Sequence, residues 1–132
     1  MSQNFVYNTK VYYEDTDVGG VVYYANYLKF IERARTEMIY HQLNLKHTEL
    51  KSKYNLIFLV KEIKAKYIHS AKFEDDIKVI TQIIKKTAVR LILKQEVYKN
   101  DKLLFTAEVE LAVVKTDGSI QKIPKNILEK IN

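Results

Sequence analysis

Residues 13–35 read YEDTDVGGVVYYANYLKFIERAR, and this stretch decides the fold. An acidic turn, Glu14-Asp15-Thr16-Asp17, comes first and holds three carboxylates in four residues. Gly19-Gly20 follows, and glycine allows a positive φ or a close approach to another group. The apolar residues after it recur at the i, i+3, i+4, i+7 spacing of one helix face. This spacing predicts a helix from about Tyr24 to Gln42.

The stretch therefore joins a carboxylate, a glycine turn and a helix N-terminus. Unpaired N–H groups and the positive end of the helix dipole meet at such a terminus. Acyl transfer needs this combination, because attack on a carbonyl creates an oxyanion that donors must stabilise. Asp17 is the candidate carboxylate, which would attack the carbonyl carbon or activate a water. A loop aspartate also serves as a helix cap or turn former, and the spacing alone leaves these roles open.

Length and composition predict one domain over residues 1–132, since the 132 residues include 47% hydrophobic ones, enough for a core. The chain has no cysteine, which excludes disulfides, a cysteine nucleophile and thiolate metal sites. The three histidines lack metal-ligand spacing, so no metal is expected. The sequence has no secretory h-region, and no apolar run approaches the ~18 residues of a membrane span. We therefore expect a cytoplasmic protein without membrane insertion.

The formal net charge of +6 favours acidic partners such as nucleic acid, a membrane surface or a phosphorylated small molecule. The central acidic turn and the lack of an RNA-recognition signature argue against nucleic acid. Lys85, Lys86 and Arg90 cluster around a predicted strand connection. They form either a solvated turn or a clamp for phosphate groups. The motifs of serine hydrolases and P-loop nucleotide hydrolases do not occur.

Alternating and β-branched apolar runs predict the remaining elements as strands. The predicted strands cover residues 5–13, 56–69, 77–84, 89–98 and 103–114. A polar connection with a possible helical turn separates the helix from the second strand, and Pro124 opens a tail of one or two helical turns. Short connections imply antiparallel neighbours. One striped helix and one apolar sheet face can cover each other, so the predicted fold is α+β, a curved antiparallel sheet of about five strands around one long central helix.

This layout resembles the hotdog fold, and residues 13–35 resemble the 4-hydroxybenzoyl-CoA thioesterase family. Within that family the stretch is most similar to the branch of Tol–Pal-linked acyl-CoA thioesterases, the YbgC type. The family pattern is Tyr-x-Asp-Thr-Asp-x-x-Gly-x-Val-Tyr, followed by Asn-Tyr and Glu-x-Ala-Arg. The matching residues are Tyr13, Asp15, Thr16, Asp17, Gly20, Val22, Tyr23, Asn26, Tyr27, Glu32, Ala34 and Arg35. The match is dense over residues 13–35, and the order of strands agrees over the remainder.

The resemblance implies an acyl-CoA thioesterase that releases a free acid and a thiol, with an acylated carrier protein as a further possible substrate. It implies that Asp17 is the catalytic carboxylate and that the first helical N–H, near Tyr24, polarises the thioester carbonyl. Gly20 would shape this oxyanion site, and Lys85, Lys86 and Arg90 would bind the phosphates of coenzyme A. The resemblance also implies a homo-oligomer, a dimer or tetramer, and no cofactor beyond the CoA of the substrate. Many members of the branch carry His at the position of Tyr24, so the Tyr24 hydroxyl must replace that side chain or its role is absent.

Two rival functions remain open at this point. A hotdog dehydratase or hydratase would use a His with an acidic partner on the helix, and residues 13–35 contain no His. A non-hydrolysing module that binds acyl-CoA or an acyl carrier protein is the second rival. Asp17 separates it from an enzyme, because a pure binder has no reason to place a costly carboxylate beside an uncharged thioester.

The sequence also predicts several roles around the site. Asp15 is expected to be structural, with Asx-turn hydrogen bonds to Gly19-Gly20. Glu32 and Arg35 stand at i, i+3 and would pair on one helix face. His41 and His47 are expected to face solvent, and His69, near a strand end, is expected to be structural or at the surface. Six tyrosines would pack the core and interface or line an acyl pocket; they are Tyr7, Tyr12, Tyr13, Tyr23, Tyr24 and Tyr27.

Overall fold

One antiparallel sheet organises residues 3–132, the part of the chain that a computed structural model describes. Its strands are β1 (Asn4–Lys10), β2 (Ile57–Tyr67), β3 (Asp76–Lys86), β4 (Arg90–Lys99) and β5 (Lys102–Val114). They lie side by side in the order β1-β3-β4-β5-β2, so β1 and β2 form the two edges. The helices are α1 (Asn26–Leu43), α2 (His47–Tyr54) and the short α3 (Lys125–Leu128). The predicted antiparallel sheet with one long helix is confirmed.

Helix α1 lies on the sheet because one of its faces is apolar. Phe30, Ile31 and Ala34 on that face are fully buried, and Leu91 and Leu93 of β4 are buried in the same core. Burying a large apolar side chain contributes about 1.5–3 kcal/mol, so this contact stabilises the fold substantially. Asn44 caps the end of the helix: its backbone is left-handed (φ 53°), and its N–H bonds the Tyr40 carbonyl.

The segment before α1 differs from the prediction. The helix begins at Asn26, so Tyr24 lies in the preceding turn and does not supply the first helical N–H. The first strand ends at Lys10 rather than Tyr13. Val11 then turns into the core, and its backbone N–H and C=O bond Asp75 and Glu74. This pairing draws the chain out of the sheet and leaves Tyr13 79% exposed in a 3-10 turn.

Two further boundaries differ for local reasons. Strand β3 continues through Lys85 and Lys86, which were predicted as a connection; a bulge between Ile83 and Lys85 absorbs the irregular register. The polar connection contains a full eight-residue helix, α2, in place of one turn. The Glu49 carboxylate accepts the Lys46 N–H (3.0 Å) at its N-terminus, which satisfies a donor that the helix leaves unpaired.

A buried polar network joins the middle of α1 to the sheet. Arg35 donates to Gln95 Oε1 on β4 (3.0 Å) instead of pairing with Glu32. Gln95 donates in turn to the Ile31 carbonyl and to Thr81 Oγ1 on β3, both at 2.9 Å. Burial lowers the pKa of Arg35, and Glu32 partly opposes this effect. The network crosses the core, because Thr81 and Gln95 are fully buried and Arg35 is 9% exposed.

Within residues 3–132, no helix is both long enough and apolar enough to cross a membrane.

Candidate active site

Asp17 lies at the start of a tight turn that its own side chain closes. Its Oδ1 accepts the Gly19 N–H (2.8 Å), and its carbonyl accepts the Gly20 N–H (3.0 Å). Gly20 has φ +79°, the left-handed region that favours glycine. The Asp17 N–H bonds the Val21 carbonyl (2.9 Å) and so ties the two ends of the turn. Within residues 3–132 the second carboxylate oxygen, Oδ2, has no bonded donor, so it is available to a ligand.

The other central aspartate, Asp15, holds the segment in place. It is 4% exposed, and its Oδ2 accepts the Tyr12 N–H (2.8 Å). Its carbonyl accepts the Tyr23 N–H (2.9 Å) and Asn26 Nδ2 (3.1 Å), at the beginning of α1. The Asx-turn bond to the glycines was therefore assigned to the wrong aspartate, because Asp17 makes it and Asp15 points into the protein.

Tyr24 supplies an available backbone donor next to this turn. Its N–H has no acceptor among residues 3–132, whereas the neighbouring Tyr23 and Asn26 N–H groups are both bonded. The Tyr24 ring is exposed and packs against Tyr23, with 4.9 Å between the ring centroids. Because Tyr24 lies just before the first turn of α1, its N–H is also close to the positive end of the helix dipole.

Asp17 and Tyr24 line a cavity of about 280 Å³, together with Tyr27, Tyr67 and His69. The last two residues come from the end of β2 and the segment after it, far from Asp17 in sequence. Tyr67 Oη donates to the Tyr24 carbonyl at 3.0 Å. Burial raises the pKa of Tyr27 and Tyr67. Asp17 and Tyr24, each with one group that is not hydrogen-bonded within residues 3–132, thus line one small space with phenolic walls, an arrangement that can hold and polarise a carbonyl group.

A larger cavity of about 750 Å³ lies beside the C-terminal half of α1. Apolar side chains of the sheet, among them Phe58, Val60 and Leu111, form much of its wall. His47 also lines it and is partly buried, contrary to the prediction that it faces solvent. Burial lowers the pKa of His47; among the nearby charges Glu32 opposes this effect and Arg35 adds to it.

The predicted phosphate-binding residues do not lie beside Asp17. They sit where β3 ends and β4 begins, whereas the Asp17 turn is next to the start of β3, about 30 Å away along an 11-residue strand. Lys86 Nζ donates to the carbonyls of Leu128 (3.0 Å) and Ile131 (2.6 Å). Arg90 pairs with Glu110 at 3.4 Å. The structure therefore does not bring Lys85, Lys86 and Arg90 together with Asp17 within one protomer.

In residues 3–132 no group of three or more His, Asp or Glu side chains is arranged to hold a metal ion.

Comparison with known proteins decides the family. The family model described as the thioesterase-like superfamily matches residues 11–131. The chain belongs to the thioesterase-like superfamily. The acyl-CoA thioesterase YbgC of Haemophilus influenzae is 38% identical over 114 residues, which cover 86% of this chain and 83% of that protein. The acyl-CoA thioester hydrolase YbgC of Escherichia coli is 34% identical over 127 residues, 94% of this chain and 92% of that protein. A crystal structure of a probable thioesterase from Bartonella henselae matches with a TM-score of 0.87 and 29% identity, covering 92% of this chain and 100% of that chain. The family resemblance and the hotdog fold expected from residues 13–35 are thereby confirmed.

Sequence reasoning missed two side chains of the cavity in this thioesterase-like protein. Both Tyr67 and His69 fall in the strand predicted over residues 56–69, and the sequence gives no connection between that strand and Asp17. The pattern of β2 contains no signal for their position, because it depends on how the strand end packs against the turn before α1. Only the mixed composition of Tyr67-Ile68-His69-Ser70, aromatic and polar at a strand end, distinguishes the segment.

Proposed function

We propose that this chain hydrolyses acyl-CoA thioesters to the free acid and coenzyme A, with Asp17 as the catalytic carboxylate. One observation carries the proposal: in a chain of the thioesterase-like superfamily, Asp17 and Tyr24 line one cavity of about 280 Å³. Residues 3–132 supply no hydrogen-bond donor to Asp17 Oδ2 and no acceptor for the Tyr24 N–H. The curated relatives named above are acyl-CoA thioester hydrolases, which supports acyl-CoA as the substrate.

The thioester carbonyl oxygen bonds the Tyr24 N–H, and the acyl carbon faces the Asp17 carboxylate. Negative charge develops on that oxygen during attack, and a preorganised donor at the positive end of a helix stabilises it more than it stabilises the substrate. Asp17 acts as the nucleophile or as the base for a water, and both routes use the same geometry. Gly20 keeps the turn closed and so holds the exposed Asp17 side chain at the wall of the cavity.

The working unit is a homo-oligomer. Strand β2 is an edge strand that exposes Leu59 and Val60, and an unpaired edge with apolar side chains favours pairing with a second copy. Two-fold antiparallel pairing of β2 sets the Tyr67 end of one strand near the Phe58 end of the other. The Asp17 cavity of one copy then adjoins the apolar cavity of about 750 Å³ in its partner, which has room for an acyl chain.

The finer parts of the proposal follow from this arrangement. A clamp formed by Lys85 and Arg90 serves a nucleotide bound at a neighbouring protomer, since both lie far from Asp17 of their own chain. An acylated carrier protein is an alternative substrate, because it presents the same thioester. A role in lipid metabolism and a cytoplasmic location complete the proposal, and the lack of cysteine is compatible with a reducing compartment.

Thiol release from a panel of acetyl-, hexanoyl-, dodecanoyl- and benzoyl-CoA tests the activity. Asp17→Asn keeps the size of the side chain and its bond from Gly19, but it removes the charge and the basic oxygen. We expect kcat to fall about 100-fold or more, the low end of what a general base contributes. Binding of a non-hydrolysable acyl-CoA analogue should be largely preserved.

Asp15→Asn is the matched control, because an amide oxygen can still accept the Tyr12 N–H, and we expect kcat to fall only a few-fold. Near-normal turnover by Asp17→Asn would refute the assignment of the carboxylate. A wild-type protein that binds acyl-CoA and acylated carrier protein but releases no thiol from either would instead be a binding module. Sedimentation that shows only monomer at micromolar concentration would contradict the proposed oligomer.

A further inference from the structure

His69 is the one imidazole among the residues that line the Asp17 cavity. The other polar side chains there are the Asp17 carboxylate, the Ser70 hydroxyl and the phenols of Tyr24, Tyr27 and Tyr67. The His69 side chain is exposed, and no residue from 3 to 132 forms a hydrogen bond with it. The imidazole is therefore free to contact a ligand, since no hydrogen bond within residues 3–132 engages it.

Hydrogen bonds on both sides hold the backbone of His69 at the cavity. Before it, Tyr67 Oη donates to the Tyr24 carbonyl at 3.0 Å. After it, the Ala71 N–H donates to Tyr27 Oη (3.0 Å) and the Ala71 carbonyl accepts the Val22 N–H (2.9 Å). The His69 N–H itself bonds the Leu104 carbonyl on β5 (3.1 Å). The segment after β2 is thus fastened to the turn before α1 at both ends, which keeps the imidazole beside the reacting groups.

The phenols of Tyr27 and Tyr67 are weaker candidates for moving a proton in this cavity. Burial raises the pKa of Tyr27, and its oxygen already accepts the Ala71 N–H. Burial also raises the pKa of Tyr67, whose proton is committed to the Tyr24 carbonyl. Imidazole is the side chain that ordinarily exchanges protons near neutral pH. A thioester hydrolase has a use for such a group, because the departing sulfur must gain a proton to become a thiol.

We infer that His69 is a catalytic acid that protonates the sulfur of the leaving thiol; this inference rests on the proposed thioesterase function. As the C–S bond breaks, its electron pair goes to sulfur and the imidazolium gives its proton to that atom. If Asp17 is the nucleophile, water then splits the acyl–Asp17 anhydride, its oxygen joins the acyl carbon and one of its protons returns to the imidazole. If Asp17 is the base, it takes that proton from the water before the C–S bond breaks and later releases it to solvent, and the imidazole regains a proton from solvent. On both routes the carboxylic acid product loses its proton to solvent. One thioester and one water give one carboxylate, one thiol and one proton, whether Asp17 acts as nucleophile or as base.

The leaving group provides the test. Coenzyme A leaves as an alkyl thiolate, whereas thiophenol leaves as a much weaker base that needs no proton. We expect His69→Gln to lower kcat for hexanoyl-CoA about 10- to 100-fold, at or below the low end of general acid catalysis because a thiolate is already a moderate leaving group. The same variant should change kcat for S-phenyl thiohexanoate less than threefold. His41→Gln is the matched control, because His41 is exposed on α1 and its ring lies against that of Phe5, with 5.6 Å between the ring centroids. This variant should leave both rates unchanged.

Added imidazole provides a second, independent readout. His69→Ala leaves space in an exposed part of the cavity, so millimolar imidazole should restore part of the lost hexanoyl-CoA turnover. Equal losses on both thioesters and no rescue by imidazole would mean that His69 only shapes the cavity, and the inference would be overturned. If the wild type releases thiol from neither compound nor from the CoA panel, the proposed function itself fails. An active wild type with an unaffected His69→Gln variant would refute the role of His69 alone.

Discussion

The replacement Gln95→Leu tests the polar network that joins α1 to the sheet. Leucine has a similar volume but no polar atoms, so the fully buried site keeps its packing and loses three hydrogen bonds. The bond from the Arg35 guanidinium is worth about 1.5–3 kcal/mol, because its loss leaves a buried charge without this acceptor. The bonds to Thr81 and the Ile31 carbonyl add about 0.5–1.5 kcal/mol each, and the apolar surface of leucine offsets part of the loss.

The net effect should be a loss of about 3 kcal/mol in the free energy of unfolding. For a chain of this length that corresponds to about 10–12 °C in Tm. Urea unfolding followed by circular dichroism, together with calorimetry at one protomer concentration, measures both quantities; the concentration is held constant because oligomers have a concentration-dependent Tm. Gln3→Leu, at an exposed position, is the matched control and should change Tm by less than 2 °C.

The double variant Arg35→Met/Gln95→Leu separates the cost of the buried charge from the cost of lost packing. An apolar pair of similar volume removes the unpaired guanidinium, so the double variant should be more stable than Gln95→Leu alone. A Gln95→Leu variant within 3 °C of wild type would refute the reasoning. A double variant no more stable than the single one would show that the charge is not the source of the loss.

Three further predictions concern the turn, a histidine and the basic cluster. Gly20→Ala places a side chain at φ +79°, so Tm should fall by about 4–8 °C, which corresponds to about 1–2 kcal/mol in the free energy of unfolding. The Tm of Gly20→Asn should fall less, because asparagine tolerates the left-handed region. Burial lowers the pKa of His47, so below about pH 6.5 the unfolded chain binds a proton that the folded chain does not bind. The free energy of unfolding should therefore be highest above that pH and decline below it. In the His47→Gln variant, Tm should depend less on pH between pH 5 and 7. Replacing Lys85 and Arg90 by Ala should raise KM for hexanoyl-CoA, less so at high salt, with kcat nearly unchanged; Lys86 is left intact because it holds the C-terminal carbonyls. A lowered kcat at constant KM would place the nucleotide elsewhere.

Local patterns were sufficient for the sheet and for the family. The alternation of β5 predicted residues 103–114, and the strand runs from Lys102 to Val114 with its inward side chains buried from Phe105 onward. The alternation predicts this strand correctly because one face packs on α1 and the other faces water. Apolar and polar residues therefore alternate along the strand with the side that each one faces. The turn that contains Gly19-Gly20 was also predictable from the sequence, since the positive φ at Gly20 is a local requirement of the backbone.

The tertiary structure decided what depends on contacts between distant segments. The sequence cannot tell which of two neighbouring aspartates points inward, and packing against Tyr12 and α1 buries Asp15 and leaves Asp17 at the cavity. The same holds for His69, which reaches the cavity only because the end of β2 is hydrogen-bonded to the turn before α1. Sequence alone thus determined which faces are apolar and which turns need glycine, because these are properties of single elements. The composition of the site was determined by the packing of the elements, because its side chains are neighbours in space and far apart along the chain.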